Sequence, residues 1–331
     1  MDIRTQIQQA RVGDEYSATV AVIRPILEGL LYALKQDVVA EVGGYANVKL
    51  KILPRLYRPG DRDCGICFEY AVHDALIRGE GRVTERVNDA LARCNIPGQN
   101  VASILFGVEK TGALDLINTA KERLTDDSRL RAGVKGQPAK LKRHIDSIAA
   151  AFRKKDRAGL LPWSISGIWK ADLFVGMTDT DRWVATTIKI NAQHLVGARG
   201  LRIGIVPTLE GTTDLIRQDD HNNLIICPLP YDGGFMETFY SGWQIIQQFI
   251  DADAMVPREV ALPRQIHRHV ARLLEDRREF NVVDVIEALR VLSQPELLTT
   301  QSQTAELVSR REGTVAVETG AVVAPVARLI G

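Results

Sequence analysis

Two charged residues stand in stretches of this chain that are otherwise apolar. Asp172 lies in Ile168–Val175 (IWKADLFV) and Lys189 in Val184–Asn191 (VATTIKIN). Both stretches are rich in aromatic and β-branched residues, and the turn-like Gly176–Asp181 separates them, so the pattern predicts a hairpin. Paired strands bring side chains of one face together, which would set Asp172 beside Lys189. A buried charge is costly unless it is paired or binds a metal. The pair therefore has two readings. One is a plain salt bridge. The other is a hydrolytic site, with a divalent cation on the carboxylate and the amine near an attacking water. Glu69 is a third candidate. It flanks the apolar stripe Phe68, Val72, Leu76 at i, i+4, i+8 of a helix and could reach the same cation, or it could be an ordinary solvated helix acid.

The elements that would position these residues follow from periodicity. A helix is expected from about Tyr16 to Gln36, with Asp14 as its cap and a kink or a start at Pro25. Val48–Leu53 alternates like a short strand stopped by Pro54. Helices are expected over Gly65–Leu76, Thr84–Cys94, Leu114–Leu124 and Lys140–Arg157, with a polar exposed connector over Asp126–Pro138. The strand-rich core is expected within residues 161–228, from Trp163–Val175, Arg182–Ile190, Leu201–Pro207 and Asn223–Cys227, with a short helix over Asn191–Gly200. Helices return at Phe239–Phe249, Arg264–Glu275 and Val282–Leu292, and the tail from Thr299 carries little that sets its state. This order defines a mixed α/β chain.

The motifs resemble those of the PD-(D/E)xK, or restriction-endonuclease-like, nuclease superfamily. The resemblance is carried by Gly65, Phe68, Glu69, Val72 and Leu76 in the helix. Lys170, Asp172, Leu173 and Val175 carry it in the first strand, and Thr187-Ile188-Lys189 at the end of the second. It covers about one third of the chain and is split by some ninety residues between helix and hairpin. It implies a mixed-sheet core flanked by helices, with a large helical insertion at about 77–160 and a helical C-terminal part. The implied divisions are 1–60, a nuclease-like core at 61–230, C-terminal helices at 231–300 and a tail at 301–331.

The resemblance also implies a chemistry. Asp172 and Glu69 would bind Mg²⁺ or Mn²⁺, with the Ile188 carbonyl as a further ligand, and Lys189 would orient water and stabilise charge on the phosphoryl oxygens. Gln193 could contact a phosphate or the water. The chain departs from the superfamily at two points. Thr187 stands two residues before the Lys, where an acid is usual, and Ala171 stands where Pro is usual. Glu69, Asp179, Asp181 or the Thr187 hydroxyl could supply the missing oxygen.

Composition bounds the partners. The 331 residues carry 42 basic and 41 acidic side chains, a net charge of +1. That balance hides a segregation: Arg129–Arg157 holds ten basic residues and two acidic ones, a local +8 that leaves −7 elsewhere. A run of this kind is either a solvated helix face or a phosphate-backbone contact, with Lys142, Arg143, Arg153, Lys154 and Lys155 as the contact candidates. The expected partner is nucleic acid, DNA first, with a homo-oligomer or larger complex around it and a restriction or antiphage defence role by analogy. The alternative is a nucleic-acid-binding or assembly subunit with a degraded site.

Other motifs are weaker. Cys64-Gly-Ile-Cys67 lacks a second ligand pair, His267 and His269 diverge on a helix, and His73 reads as a structural helix residue or as one that hydrogen-bonds into the site. Four scattered cysteines and a start without an apolar signal core suggest a cytoplasmic protein. No stretch is long and apolar enough for a membrane span.

Overall fold

Apolar side chains at helical spacing organise the first element. The computed structural model describes residues 3–57, 64–105, 123–131, 139–153, 160, 171–195, 200–208, 213–231, 234–255, 262, 264–293, 304–308 and 314–318. Helix α1 (Ile3–Ala33) runs unbroken through both Asp14 and Pro25, so Asp14 is neither its cap nor its start. The upstream turns are polar, which is why apolar periodicity begins only near Tyr16. Pro25 removes one helical hydrogen bond, at a cost of about 3 kcal/mol. Ile23, Ile26 and Leu27 around it are completely buried, and each such side chain contributes roughly 1.5–3 kcal/mol. Burial outweighs the proline.

Around α1 pack α4 (Cys64–Arg78), α7 (Phe235–Asp251), α8 (Gln265–Glu275) and α9 (Val282–Leu292). Two glycines set the closeness. A Cβ at Gly29 would lie 2.9 Å from the Cys67 Cα, and one at Gly242 would lie 3.2 Å from Val22 and Ile26 side chains. Between these come α2 (Gln36–Glu41), α3 (Leu53–Leu56), α5 (Gly81–Arg93) and α6 (Leu141–Arg153). One hydrophobic cluster draws on α1, α4, α5, the sheet and the C-terminal helices, so these segments share a core.

The sheet is mixed and open. Its strands are β1 (Val101–Leu105), β2 (Arg129–Leu130), β3 (Ala139–Lys140), β4 (Leu173–Met177), β5 (Arg182–Ile188), β6 (Arg202–Pro207), β7 (Arg217–Asp219) and β8 (Leu224–Leu229). Their order is β1-β4-β5-β6-β8-β7. The pairs β1–β4, β4–β5 and β7–β8 are antiparallel, whereas β5–β6 and β6–β8 are parallel. The hairpin forms as expected, with Leu173 opposite Thr186 and Met177 opposite Arg182. Along the other edge of β5, β2 pairs at Arg182 and Trp183 while β6 pairs from Ala185 to Ile188.

Several expectations need correction. Val48–Leu53 makes a single bridge, Lys49 to Asn281, and leads into α3 with Pro54 in its first turn. Its alternation arises because Val48, Leu50 and Leu53 point into the core. Asp126–Pro138 is not an exposed connector throughout, since Leu130 in β2 is fully buried. The stretch 77–160 is not purely helical, because it also holds β1, β2 and β3. A two-residue strand is too short to show a period. Asn191–Gly200 is a 3₁₀ turn at Ala192–His194, with 196–199 outside the described residues. The helix expected over Leu114–Leu124 and the strand residues Trp163–Lys170 fall almost wholly or wholly outside them too. In the tail, β9 (Thr304–Val308) and β10 (Thr314–Glu318) pair antiparallel, apart from the main sheet.

Candidate functional site

Helix α4 is buried on most of its faces because it lies between α1 and the strands β1 and β5. Its carboxylates therefore need partners. Asp74 pairs with Arg24 and with Arg78, whose Nε lies 2.7 Å away. Glu69 is only 9% exposed, which removes the solvated-acid reading. It faces the end of the hairpin.

There the three predicted residues converge. Asp172 sits one residue before β4, its backbone N–H donating to the Thr186 carbonyl at 2.9 Å. Lys189 sits one residue after β5, tied by its N–H to the Ile205 carbonyl of β6 at 3.0 Å. Its ammonium donates to Asp172 Oδ2 at 2.8 Å and to Glu69 Oε1 at 3.3 Å. Asp172 is 1% exposed. The same Oδ2 accepts from the Ile188 N–H at 2.9 Å and from the Thr187 hydroxyl at 3.0 Å. One carboxylate oxygen thus gathers three donors from consecutive residues.

The electrostatics follow from burial and charge. Burial alone would lower the Lys189 pKa, but Asp172 and then Glu69 outweigh it and hold the amine above its ordinary value. Lys189 is a fixed cation, not a proton acceptor near neutrality. Arg202, at the start of β6 and only 6% exposed, adds a second cation. Burial lowers its pKa and the Asp172 charge opposes that. The cluster therefore holds two acids and two bases. Sequence reasoning missed Arg202, although a charge opening the apolar run LRIGIVP is the signal that singled out Asp172 and Lys189.

The other expected residues lie elsewhere. Asp179 accepts from the Gln99 and Asn100 N–H groups, and Asp181 from Thr125, Ser128 and Trp183. Both clip loops at the turn end of the hairpin. The seven residues of β5, roughly 23 Å of extended strand, separate that end from Lys189, so neither replaces the missing acid. Gln193 is exposed in the 3₁₀ turn.

The basic segment enters through β2 at the same distant end of β5. There Lys142 lies 3.7 Å from Asp126, and Arg143 is exposed. Arg153 ends α6, and Lys154 and Lys155 lie outside the described residues. His73, one turn beyond Glu69, bonds Ser103 at 2.9 Å, and burial followed by Arg123 and Arg24 pushes its pKa down to about 3. None of the four cysteines is disulfide-bonded. Cys67 donates to the Ile26 carbonyl, and burial lifts Cys94 and Cys227 to about 12.

A cation at this site would draw on oxygen alone. Among the described residues no three His, Cys, Asp or Glu side chains cluster for a metal. Two carboxylates nevertheless face one ammonium group, and Mg²⁺ is commonly held by one or two carboxylates with substrate phosphates completing its shell. The Ile188 N–H points to the Asp172 edge, and in an extended strand the carbonyl of the same residue projects to that edge. Asp172, Glu69 and the Ile188 carbonyl are the oxygen donors that a hard divalent ion would draw on here, beside the Lys189 ammonium that now bridges the two carboxylates. The chain matches no protein-family model, no curated protein and no solved structure. Among the described residues, no helix is long and apolar enough to cross a membrane.

Proposed function

We propose that the chain is a metal-dependent nuclease that hydrolyses phosphodiester bonds of nucleic acid, DNA first, with Asp172, Glu69 and Lys189 at its centre. The observation that carries this reading is their convergence, within 3.3 Å of one ammonium nitrogen, from three separate elements. The chain order also supports it. A helix with Glu69, a strand entered by Asp172, an antiparallel strand left by Lys189, a short helical turn and then a parallel strand follow one another, an order compatible with the restriction-endonuclease-like reading.

Each residue has a task under this reading. Thr187 and the Ile188 N–H fix the Asp172 carboxylate in one orientation. Lys189 presents a permanent positive charge, suited to stabilising negative charge that develops on phosphoryl oxygens. Asp172, Glu69 and the Ile188 carbonyl would hold Mg²⁺ or Mn²⁺. Such an ion polarises a phosphoryl oxygen and lowers the pKa of bound water. Cutting both strands of a duplex addresses two phosphates, so a symmetric dimer belongs to the proposal, as does a role in restriction or antiphage defence.

A second reading is a nucleic-acid-binding or assembly subunit with a degraded site. It is favoured by Thr187, whose hydroxyl donates to Asp172 where a second carboxylate is usual. One experiment separates the two. Purified protein is incubated with plasmid, linear and single-stranded DNA in Mg²⁺, Mn²⁺ or EDTA, beside Asp172→Ala and Lys189→Ala. The nuclease reading expects metal-dependent cleavage that falls about a hundredfold or more in each variant. Cleavage that survives both substitutions overturns the site, and binding without cleavage in either metal supports the second reading.

A further inference from the structure

Helix α8 carries Arg264, Arg268 and Arg272 at its N-cap and at i+4 and i+8, one above another on a single face. The opposite face, with Ile266, Val270, Ala271 and Leu274, is buried against the core. The three arginines line a pocket of about 380 Å³ with Leu262, Gln265 and His269. This volume is in the range of small-ligand sites. Its elements are distinct from those of the Asp172–Lys189 centre, since α8 packs on α7 and α1.

The charges in the pocket are unevenly satisfied. Arg264 is held by two acids, Nη1 to Glu15 Oε1 at 2.8 Å and Nη2 to Glu237 Oε1 at 2.9 Å. Arg268 and Arg272 have no ion-pair partner among the described residues, and both are exposed. Like charges one turn apart oppose helix formation by a few tenths of a kcal/mol per pair. No acidic residue lies in the first turn to offset them. An anion in the pocket would relieve that repulsion. Guanidinium groups suit phosphate in particular, because their paired N–H donors match two phosphate oxygens at once.

We infer that this pocket is a second anion site, which binds the phosphate groups of a phosphorylated ligand through Arg268 and Arg272. The ligand is a nucleic-acid backbone or a free polyphosphate, and the inference does not depend on whether Asp172 and Lys189 cleave anything.

The test uses the full chain and three probes. Inorganic tripolyphosphate is titrated by calorimetry, and a labelled 20-nucleotide strand and its duplex are titrated by anisotropy over a range of salt. Wild type is compared with Arg268→Ala/Arg272→Ala and with Arg268→Lys/Arg272→Lys, each shown by its melting curve to be folded. The expected result is tripolyphosphate binding that weakens at least tenfold in the alanine variant and less in the lysine one. If the backbone is the source, duplex binding falls as well and its log–log salt slope flattens by about 1.8, from two lost phosphate contacts. If a free polyphosphate is the source, the DNA titrations are unchanged. Wild type that binds none of the three probes, or an alanine variant that binds all of them as wild type does, overturns the inference.

Discussion

The Thr187 hydroxyl donates to Oδ2 of Asp172 at 3.0 Å, inside a carboxylate that is 1% exposed. The residue two places before Lys189 therefore serves the buried acid as a donor rather than standing beside it as a second acid. Hydrogen bonds to charged groups contribute about 1.5–3 kcal/mol. Thr187→Val keeps the shape and removes the donor, leaving Asp172 with the Ile188 N–H and Lys189. A stability loss of about 2 kcal/mol is expected in urea denaturation. A loss below a few tenths of a kcal/mol would show that the hydroxyl contributes nothing to the carboxylate.

Lys189 is the counter-ion of two acids, and removing it takes one of the cations from the buried Asp172 carboxylate and leaves the Arg202 charge. Breaking a buried pair from one side typically costs about 3–5 kcal/mol. Lys189→Met is expected to fall near the lower end, since the lysine side chain is 30% exposed. Asp172→Asn/Lys189→Met removes both charges of the pair and should recover part of the loss. Denaturant midpoints of the two singles and the double measure the coupling. Additive losses would show that the two side chains do not depend on each other.

His73 gives the fold a pH dependence of defined sign. Its folded pKa is held near 3 by burial and by Arg123 and Arg24, whereas an unfolded histidine titrates near 6.5. Between those values the unfolded chain binds the proton and the folded one does not. Stability at this residue is therefore full above about pH 6.5 and falls as the pH drops toward 3, by up to about 1.4 kcal/mol per unit. His73→Asn should flatten the stability profile between pH 4 and 6 by one proton. An unchanged slope would mean that His73 is protonated in the folded state.

What the chain announced in advance was the centre, because its signal is local. A charge inside an apolar run is conspicuous, and both Asp172 and Lys189 stand in one. Arg202 carries a weaker mark, because it opens its strand rather than interrupting an apolar run. The long helices α4 and α9 were legible from apolar spacing. β1 and β2 were not. Their sequences, VASIL and RL, are too short to show a period, and they are strands because β4 and β5 offer them edges. The basic segment shows the same limit. It precedes the hairpin directly in sequence, yet β2 attaches it at the turn, while the acids gather at the other end. Proximity in sequence did not carry over to proximity in space.

Thr187→Asp introduces an acid two residues before Lys189, and its behaviour separates the proposed metal site from a purely structural ion cluster. In EDTA the new carboxylate meets Asp172 at close range, inside a site whose charges already balance. Like charges so placed raise each other's pKa and destabilise the fold. A lower melting temperature than wild type is therefore expected without metal. If Asp172 and Glu69 hold a divalent ion, the added acid strengthens that site, and Mg²⁺ should restore the melting temperature. At about 100 times the dissociation constant the gain is about 2.7 kcal/mol. Cleavage should rise in parallel if the wild type cleaves. Should Mg²⁺ leave both the wild-type and the Thr187→Asp melting curves where EDTA puts them, the cluster is an ion pair that braces the hairpin against α4 and holds no metal.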